Sequence, residues 1–130
     1  MKNKIFIFDL DDTLYKEIDF LYSAYREIAG WIELKFSLKG IYAFMLETYK
    51  EQADVFSRLI DTYDLSLTKA DLLSIYRSHR PNIRLELDTL KVLEVLKRDF
   101  TLGMITDGRS ITQRNKFQAL GLEQFIENEN

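Results

Sequence analysis

Ile5-Phe6-Ile7-Phe8-Asp9-Leu10-Asp11-Asp12-Thr13-Leu14-Tyr15 decides how the rest of the chain is read. Its first half, Ile5 to Leu10, is a short apolar run rich in β-branched and aromatic side chains. That is the composition of a strand buried on both faces of a parallel sheet. Its second half places three carboxylates within four positions at the strand's end. Such a cluster is unfavourable unless something neutralises it, and in open α/β sheets ligands bind at the carboxyl ends of strands. Side chains alternate along an extended chain, so Asp9 and Asp11 point the same way if the strand continues, and both then reach one cation. Oxygen ligands without His or Cys suit a hard ion such as Mg²⁺, which takes one or two carboxylates plus substrate oxygens. A solvated acidic turn that merely stops the strand is the plainer alternative. An EF-hand is excluded, because its sixth position is Leu14 instead of Gly and its twelfth Phe20 instead of Glu.

Beyond this stretch the spacing becomes helical. Leu21, Ala24, Tyr25, Ile28 and Ile32 follow the i, i+3, i+4, i+7 rule, and Ser37-Leu38-Lys39-Gly40 interrupts them. Ile41, Met45, Thr48, Gln52, Phe56, Leu59, Ile60 and Tyr63 continue as a second stripe. Thr68-Lys69-Ala70-Asp71 fits a capping box and starts a third helix, which Pro81 closes. Asp88 is a good N-cap for a helix through Leu90, Leu93 and Leu96. Phe100 to Thr106 reads as the second strand, a helix runs from Ser110 to Leu120, and Gly121 stands where a left-handed helix stop is expected. Strand, helical crossover and strand make a βαβ unit, so the two strands are expected to be parallel. The crossover carries about 65 residues more than the minimum such a unit needs, which reads as an inserted helical subdomain. Its many aromatics, among them Tyr25, Trp31, Tyr49 and Phe56, read as packing between helices instead of a ligand cage.

A second cluster, Ile105-Thr106-Asp107-Gly108-Arg109-Ser110, lies between the later strand and its helix. A helix N-terminus offers free N–H groups and positive potential, and with a Thr hydroxyl it makes a phosphate cradle. Strand-to-helix turns commonly use these residues, so alone the cluster says little. Two such loops on adjacent parallel strands would face one crevice, and that conjunction carries the weight.

Composition bounds the alternatives. The chain has 130 residues, 46% of them hydrophobic and 30% charged, the profile of one globular domain. Eighteen Lys and Arg against 21 Asp and Glu give a net charge of −3, a balance that does not suggest a nucleic-acid partner, which would need a concentrated basic face. No cysteine is present, which removes disulfides, thiolate metal sites and cysteine nucleophiles. A single histidine, His79, speaks against a Ser-His-Asp relay. Met1-Lys2-Asn3-Lys4 begins like a signal peptide, but the apolar run after it is shorter than the ~7–15 residues of a signal core. No stretch approaches the ~20 apolar residues of a membrane span. A soluble, cytoplasmic protein with no membrane partner is expected.

Asp9-Leu10-Asp11-Asp12-Thr13-Leu14 followed by Thr106-Asp107-Gly108, with a helical insert between, resembles the haloacid dehalogenase superfamily. It is similar in particular to the phosphatase branch with a helical cap between the first two motifs, and the likeness spans essentially the whole chain. The resemblance implies an α/β fold: an incomplete Rossmann-like parallel-sheet core (residues 1–15 and 86–130) with an inserted α-helical cap (16–85). It implies a Mg²⁺-dependent phosphohydrolase acting on a small phosphorylated metabolite. Asp9 would be the nucleophile forming an aspartyl-phosphate, and Asp11 the acid/base. The Asp9 carboxylate and the Asp11 backbone carbonyl would bind Mg²⁺. Thr13 would brace the loop, and Thr106, Asp107 and Gly108 would hold the phosphoryl group. A cation beside Asp9 and a less solvated setting for Asp11 would separate their proton affinities as this chemistry requires.

Two further motifs of the superfamily, a lysine and a later acidic pair, are not found and are expected beyond residue 130. Lys116 is about two turns past Gly108 and reads as a surface lysine; Glu123, Glu127 and Glu129 read as a solvated tail. The expectation is therefore the front portion of a larger phosphatase, or a truncated relative, with turnover reduced by several orders of magnitude. An exposed edge of the first strand would then invite a second copy or another partner. A catalytically inactive fragment or interaction module is the alternative. A phospho-receiver domain lacks its mid-chain acceptor, because Asp54 and Asp61 lie in helical spacing. A DxD glycosyltransferase lacks anything before the motif to hold a nucleotide sugar. Tyr15 and Lys16 lie near the expected hinge, for packing or for substrate contact.

Overall fold

The computed structural model describes residues 4–126, so Glu127, Glu129 and the basic start Met1-Lys2-Asn3 lie outside the described residues. Its elements run β1 (Ile5–Asp9), α1 (Glu17–Phe36), α2 (Ile41–Lys50), α3 (Val55–Tyr63), α4 (Lys69–Ser78), α5 (Leu87–Asp99), β2 (Thr101–Ile105) and α6 (Ser110–Ala119), with a 3₁₀ turn at Leu122–Gln124. No described helix is long and apolar enough to cross a membrane. The chain forms two compact units: one joins the residues up to Leu21 with those from Arg80 onward, and the other is Tyr22–His79.

In the first unit β1 and β2 pair in parallel, from Ile5 opposite Thr101 to Asp9 opposite Ile105. The approach to α5 is extended: Pro81, Ile83 and Leu85 are buried and alternate with exposed Asn82, Arg84 and Glu86. The helix starts two residues earlier than expected. Glu86 holds the N-cap position without a side-chain cap bond, and Asp88 lies in the first turn, where a carboxylate complements the helix dipole. Gly121 follows α6 with φ 68°, the left-handed stop expected there. Leu10, Leu93 and Leu122 are fully buried, with Leu102, Phe117 and Leu120 nearly so.

One expectation for this unit fails. β1 is not buried on both faces: Ile5 is 67% and Ile7 54% exposed, and among the described residues the sheet has only two strands. β1 therefore has a hydrogen-bonded neighbour on one side only, and apolar side chains chosen for a covered strand meet solvent.

The second unit is helical. Ser37 and Gly40, both at positive φ, break α1 from α2 as the spacing indicates. The single stripe expected from Ile41 to Tyr63 is in fact two helices. Gln52 turns the chain at φ 61°, and Asp54 caps α3 by accepting from the Ser57 N–H at 3.2 Å. The capping box forms at α4: Thr68 Oγ1 accepts from the Asp71 N–H at 3.1 Å, and Asp71 Oδ2 accepts from the Thr68 N–H at 2.9 Å. Tyr25 packs edge-on against Tyr49 and Tyr76, with ring centroids 6.2 and 6.5 Å away. Burial, with Tyr76, Tyr49 and Asp54 nearby, pushes its phenol up to about 12. His79 is buried beside Ser23, their Nε2 and Oγ 3.1 Å apart, and its Nδ1 lies 2.8 Å from the Tyr76 carbonyl. A carbonyl only accepts, so Nδ1 carries the proton and the Ser23 hydroxyl donates to Nε2. Burial pulls the imidazole below its usual range, against the raising effects of the Tyr76 carbonyl and Glu27.

Candidate active site

The parallel register sets the geometry. Asp9 is the last residue of β1 and pairs with Ile105, the last of β2, so the two loops leave neighbouring strands at the same carboxyl end. After Asp9 the chain turns at once. The Leu10 carbonyl accepts from the Leu14 N–H at 3.0 Å, and Thr13 sits exposed in that turn. Asp12 has φ 60°, a left-handed conformation that Asp tolerates better than most residues. Its Oδ1 accepts from the Glu17 N–H at 2.9 Å, at the start of α1. In the other loop Gly108 lies at φ 124°, which favours glycine, and Arg109 stands at the N-cap of α6.

The two carboxylates at this end have different surroundings. Asp9 is exposed, and its Oδ1 accepts from the neighbouring Leu10 N–H at 2.9 Å. Asp11 is held from several sides. Its Oδ1 accepts from the Tyr15 hydroxyl at 2.7 Å and the Lys116 ammonium at 2.9 Å, and its Oδ2 from Gln113 Nε2 at 3.1 Å. Gln113 Nε2 also donates to the Thr106 hydroxyl, so one side-chain nitrogen bridges the first loop to the second. Thr106 in turn reaches the Asp107 carbonyl at 3.3 Å, and Asp107 is exposed.

Lys116 is not a surface lysine. Only 4% of it is exposed, and its ammonium lies 4.5 Å from the Phe20 ring centroid and 5.9 Å from that of Tyr15, besides its bond to Asp11. It shares one face of α6 with Thr112, Gln113 and Phe117, all buried. That spacing was the available signal: the i, i+1, i+4, i+5 pattern puts Lys116 on the inward side. Gln113 and the Tyr15 hydroxyl were missed as well. Gln113 reaches Asp11 across 102 positions, and Tyr15, although only four residues past Asp11, follows a turn in which no periodic rule pairs the two.

Asp11 departs from the expected proton affinity. Burial pushes its carboxyl up, but the hydrogen bonds from Lys116 and Tyr15, the lysine charge and Gln113 outweigh that, and the net direction is down. Asp11 is therefore ionised at neutral pH in this form.

A groove of about 650 Å³ runs from Ile5 and Ile7 past Gly103 to Thr106, Gly108 and Gln113. Neither Asp9 nor Asp11 lines it, so it is an apolar hollow over the sheet that touches the second loop only. Among the described residues no three His, Asp or Glu side chains converge. The donor types at this strand end, the exposed Asp9 carboxylate and the Asp11 backbone carbonyl two residues on, suit Mg²⁺, which completes its shell with water and substrate oxygens.

Comparison with known proteins agrees with this architecture. The family model of haloacid dehalogenase-like hydrolases matches residues 6–128. The chain belongs to that family. Within the haloacid dehalogenase-like hydrolases, a glyceraldehyde 3-phosphate phosphatase of Methanocaldococcus jannaschii is 27% identical over 133 aligned positions, covering 93% of this chain and 58% of the relative. The solved structure of the HAD-hydrolase YfnB from Bacillus subtilis, described as bound to magnesium, aligns with a TM-score of 0.59 at 18% identity. That alignment covers 98% of this chain and 62% of YfnB and shows a shared fold. The chain thus spans about three fifths of the length of these relatives.

Proposed function

We propose that the chain carries the phosphoryl-transfer site of a Mg²⁺-dependent phosphohydrolase acting on a small phosphorylated metabolite. The observation that carries this reading is the pairing of Asp9 with Ile105, together with the Gln113 bridge from Asp11 to Thr106. The phosphatase named among the relatives and the magnesium named with YfnB support it. On this reading residues 1–15 and 86–130 form the core and 16–85 the cap. The Asp9 carboxylate and the Asp11 carbonyl would hold Mg²⁺, whose charge screens the phosphoryl oxygens so that a carboxylate can approach them.

An Asp9 oxygen attacks phosphorus, and the bond to the substrate oxygen breaks. That oxygen leaves with a proton from Asp11. Water then attacks the aspartyl-phosphate while Asp11 takes a proton from it, and the Asp9–phosphorus link breaks to release inorganic phosphate. Asp11 is ionised as the second half requires. A phosphoryl dianion arriving beside it raises its proton affinity, which is the direction the first half requires. Thr106, Asp107 and Gly108 supply a hydroxyl and backbone N–H groups to the phosphoryl oxygens, and Thr13 braces the first loop.

The test is hydrolysis of p-nitrophenyl phosphate with Mg²⁺ by the wild-type chain and by Asp9→Asn. Hydrolysis above background that disappears in the variant is the expected result. Equal background rates in both proteins would overturn the reading in favour of a non-catalytic module.

A further inference from the structure

We propose that Gln113 and Lys116 are positioning residues that assign different tasks to the two carboxylates of the first loop. They hold the Asp11 carboxylate on α6, off the cation, and leave Asp9 as its carboxylate ligand. This rests on the reading of Asp9 and Asp11 given above, and deepens it.

Two acidic side chains at one strand end are both candidate ligands for a divalent ion, since Mg²⁺ takes one or two carboxylates. Here both oxygens of Asp11 are engaged by side chains: Oδ1 by Lys116 and Tyr15, Oδ2 by Gln113. Lys116 and Gln113 are one turn apart on α6 and expose only 4% and 6% of their surface. Two long polar side chains buried on the same helical face, both aimed at one carboxylate, are expensive to keep there unless they are paired. The pairing is selective: among the described residues no α6 side chain hydrogen-bonds Asp9 at the same strand end, and Asp9 stands exposed with its Oδ1 accepting only from the Leu10 N–H. The Gln113 nitrogen also holds the Thr106 hydroxyl, so the same helix fixes the phosphoryl-binding group against the proton-transferring one. A carboxylate tied in this way keeps its orientation for proton transfer. Released, it is free to turn to the cation, where it would bind metal well and serve the reaction poorly.

The consequence is an opposed response to substitution. In Lys116→Met the aliphatic stem remains and the charge is lost. Mg²⁺ alone, titrated calorimetrically into the 130-residue chain, is expected to bind about tenfold more tightly, in line with the effect of an added carboxylate on divalent-ion sites. Hydrolysis of p-nitrophenyl phosphate at saturating Mg²⁺ is expected to fall ~10–100-fold, the usual cost of removing a ligand's supporting partner. Lys116→Arg should stay near wild type in both measurements. Gln113→Leu should move both in the same directions as Lys116→Met, and it carries the test if Lys116→Met does not fold. A residue that merely supports the fold would lower hydrolysis and metal affinity together, and that result in both variants would overturn the proposal. So would variants that match wild type while the wild-type chain binds Mg²⁺ and turns over. A wild-type chain that neither binds Mg²⁺ nor hydrolyses the ester would instead overturn the proposed function, and this inference with it.

Discussion

Replacing Lys116 by Met, alone and combined with Asp11→Asn, measures how far the lysine is part of the interior. Lys116 is 4% exposed, donates to Asp11 Oδ1 at 2.9 Å, and lies 4.5 Å from the Phe20 ring centroid. Hydrogen bonds to charged groups contribute ~1.5–3 kcal/mol, and a desolvated cation–π contact ~1–2 kcal/mol. Met keeps the stem packed and no longer buries an ammonium, which offsets part of that sum. The expected net loss is about 2 kcal/mol for Lys116→Met. The Asp11 side chain is 23% exposed, so solvent reduces the pair's own share, and the coupling in the double-mutant cycle should be ~1–2 kcal/mol. With a urea m-value of about 2 kcal/mol/M for a chain of this size, the midpoint should move by ~1 M. Circular dichroism is the right probe, since the single tryptophan, Trp31, lies in the other unit. A solvent-exposed pair would give ~0–1 kcal/mol. A single-mutant loss and a coupling both below ~0.5 kcal/mol would refute the buried-pair argument.

Three further outcomes are expected. Gly108→Ala puts a Cβ 3.2 Å from Gln113 Cδ at φ 124°, and should cost ~1–3 kcal/mol in a urea titration while weakening hydrolysis; an unchanged midpoint would contradict it. His79 is held below the ordinary 6.5 by burial, so the unfolded chain takes up its proton first as pH falls. Its contribution is complete above about pH 6.5 and is lost as pH drops from there through the folded value; denaturation midpoints at pH 7.5 and 5.5 should differ less in His79→Gln than in wild type, and equal differences would sink the idea. Thr68→Ala removes the acceptor for the Asp71 N–H and should cost ~1 kcal/mol of thermal stability, whereas Thr68→Ser should cost little.

What the sequence showed clearly was local. The Thr68 capping box, the Gly121 stop and the chain break at Ser37 to Gly40 are each written within a few residues, and each appears in the structure. The family motifs were legible for the same reason. The parallel pairing followed from strand order, since a long crossover leaves few other arrangements. The failures involve distant partners or competing local signals. Lys116 reads as a surface lysine from sequence because its partner Asp11 is 105 positions away in the chain. The α2–α3 break was hidden because the apolar stripe keeps its phase across Gln52, so periodicity alone does not register the turn. The exposure of β1 shows the reverse error: Ile5 and Ile7 have the composition of a covered strand, and composition does not say whether a cover is there.

Asp12 has a consequence for anyone randomising this codon. Its backbone demands a residue at ease at φ 60°, and its carboxylate serves the amide of Glu17. Asn meets both demands, Gly only the first and Ser only the second. A saturation library should therefore return Asp and Asn at the top, Gly below them, and β-branched residues not at all. That ranking would emerge from folding selection alone, before any substrate is offered.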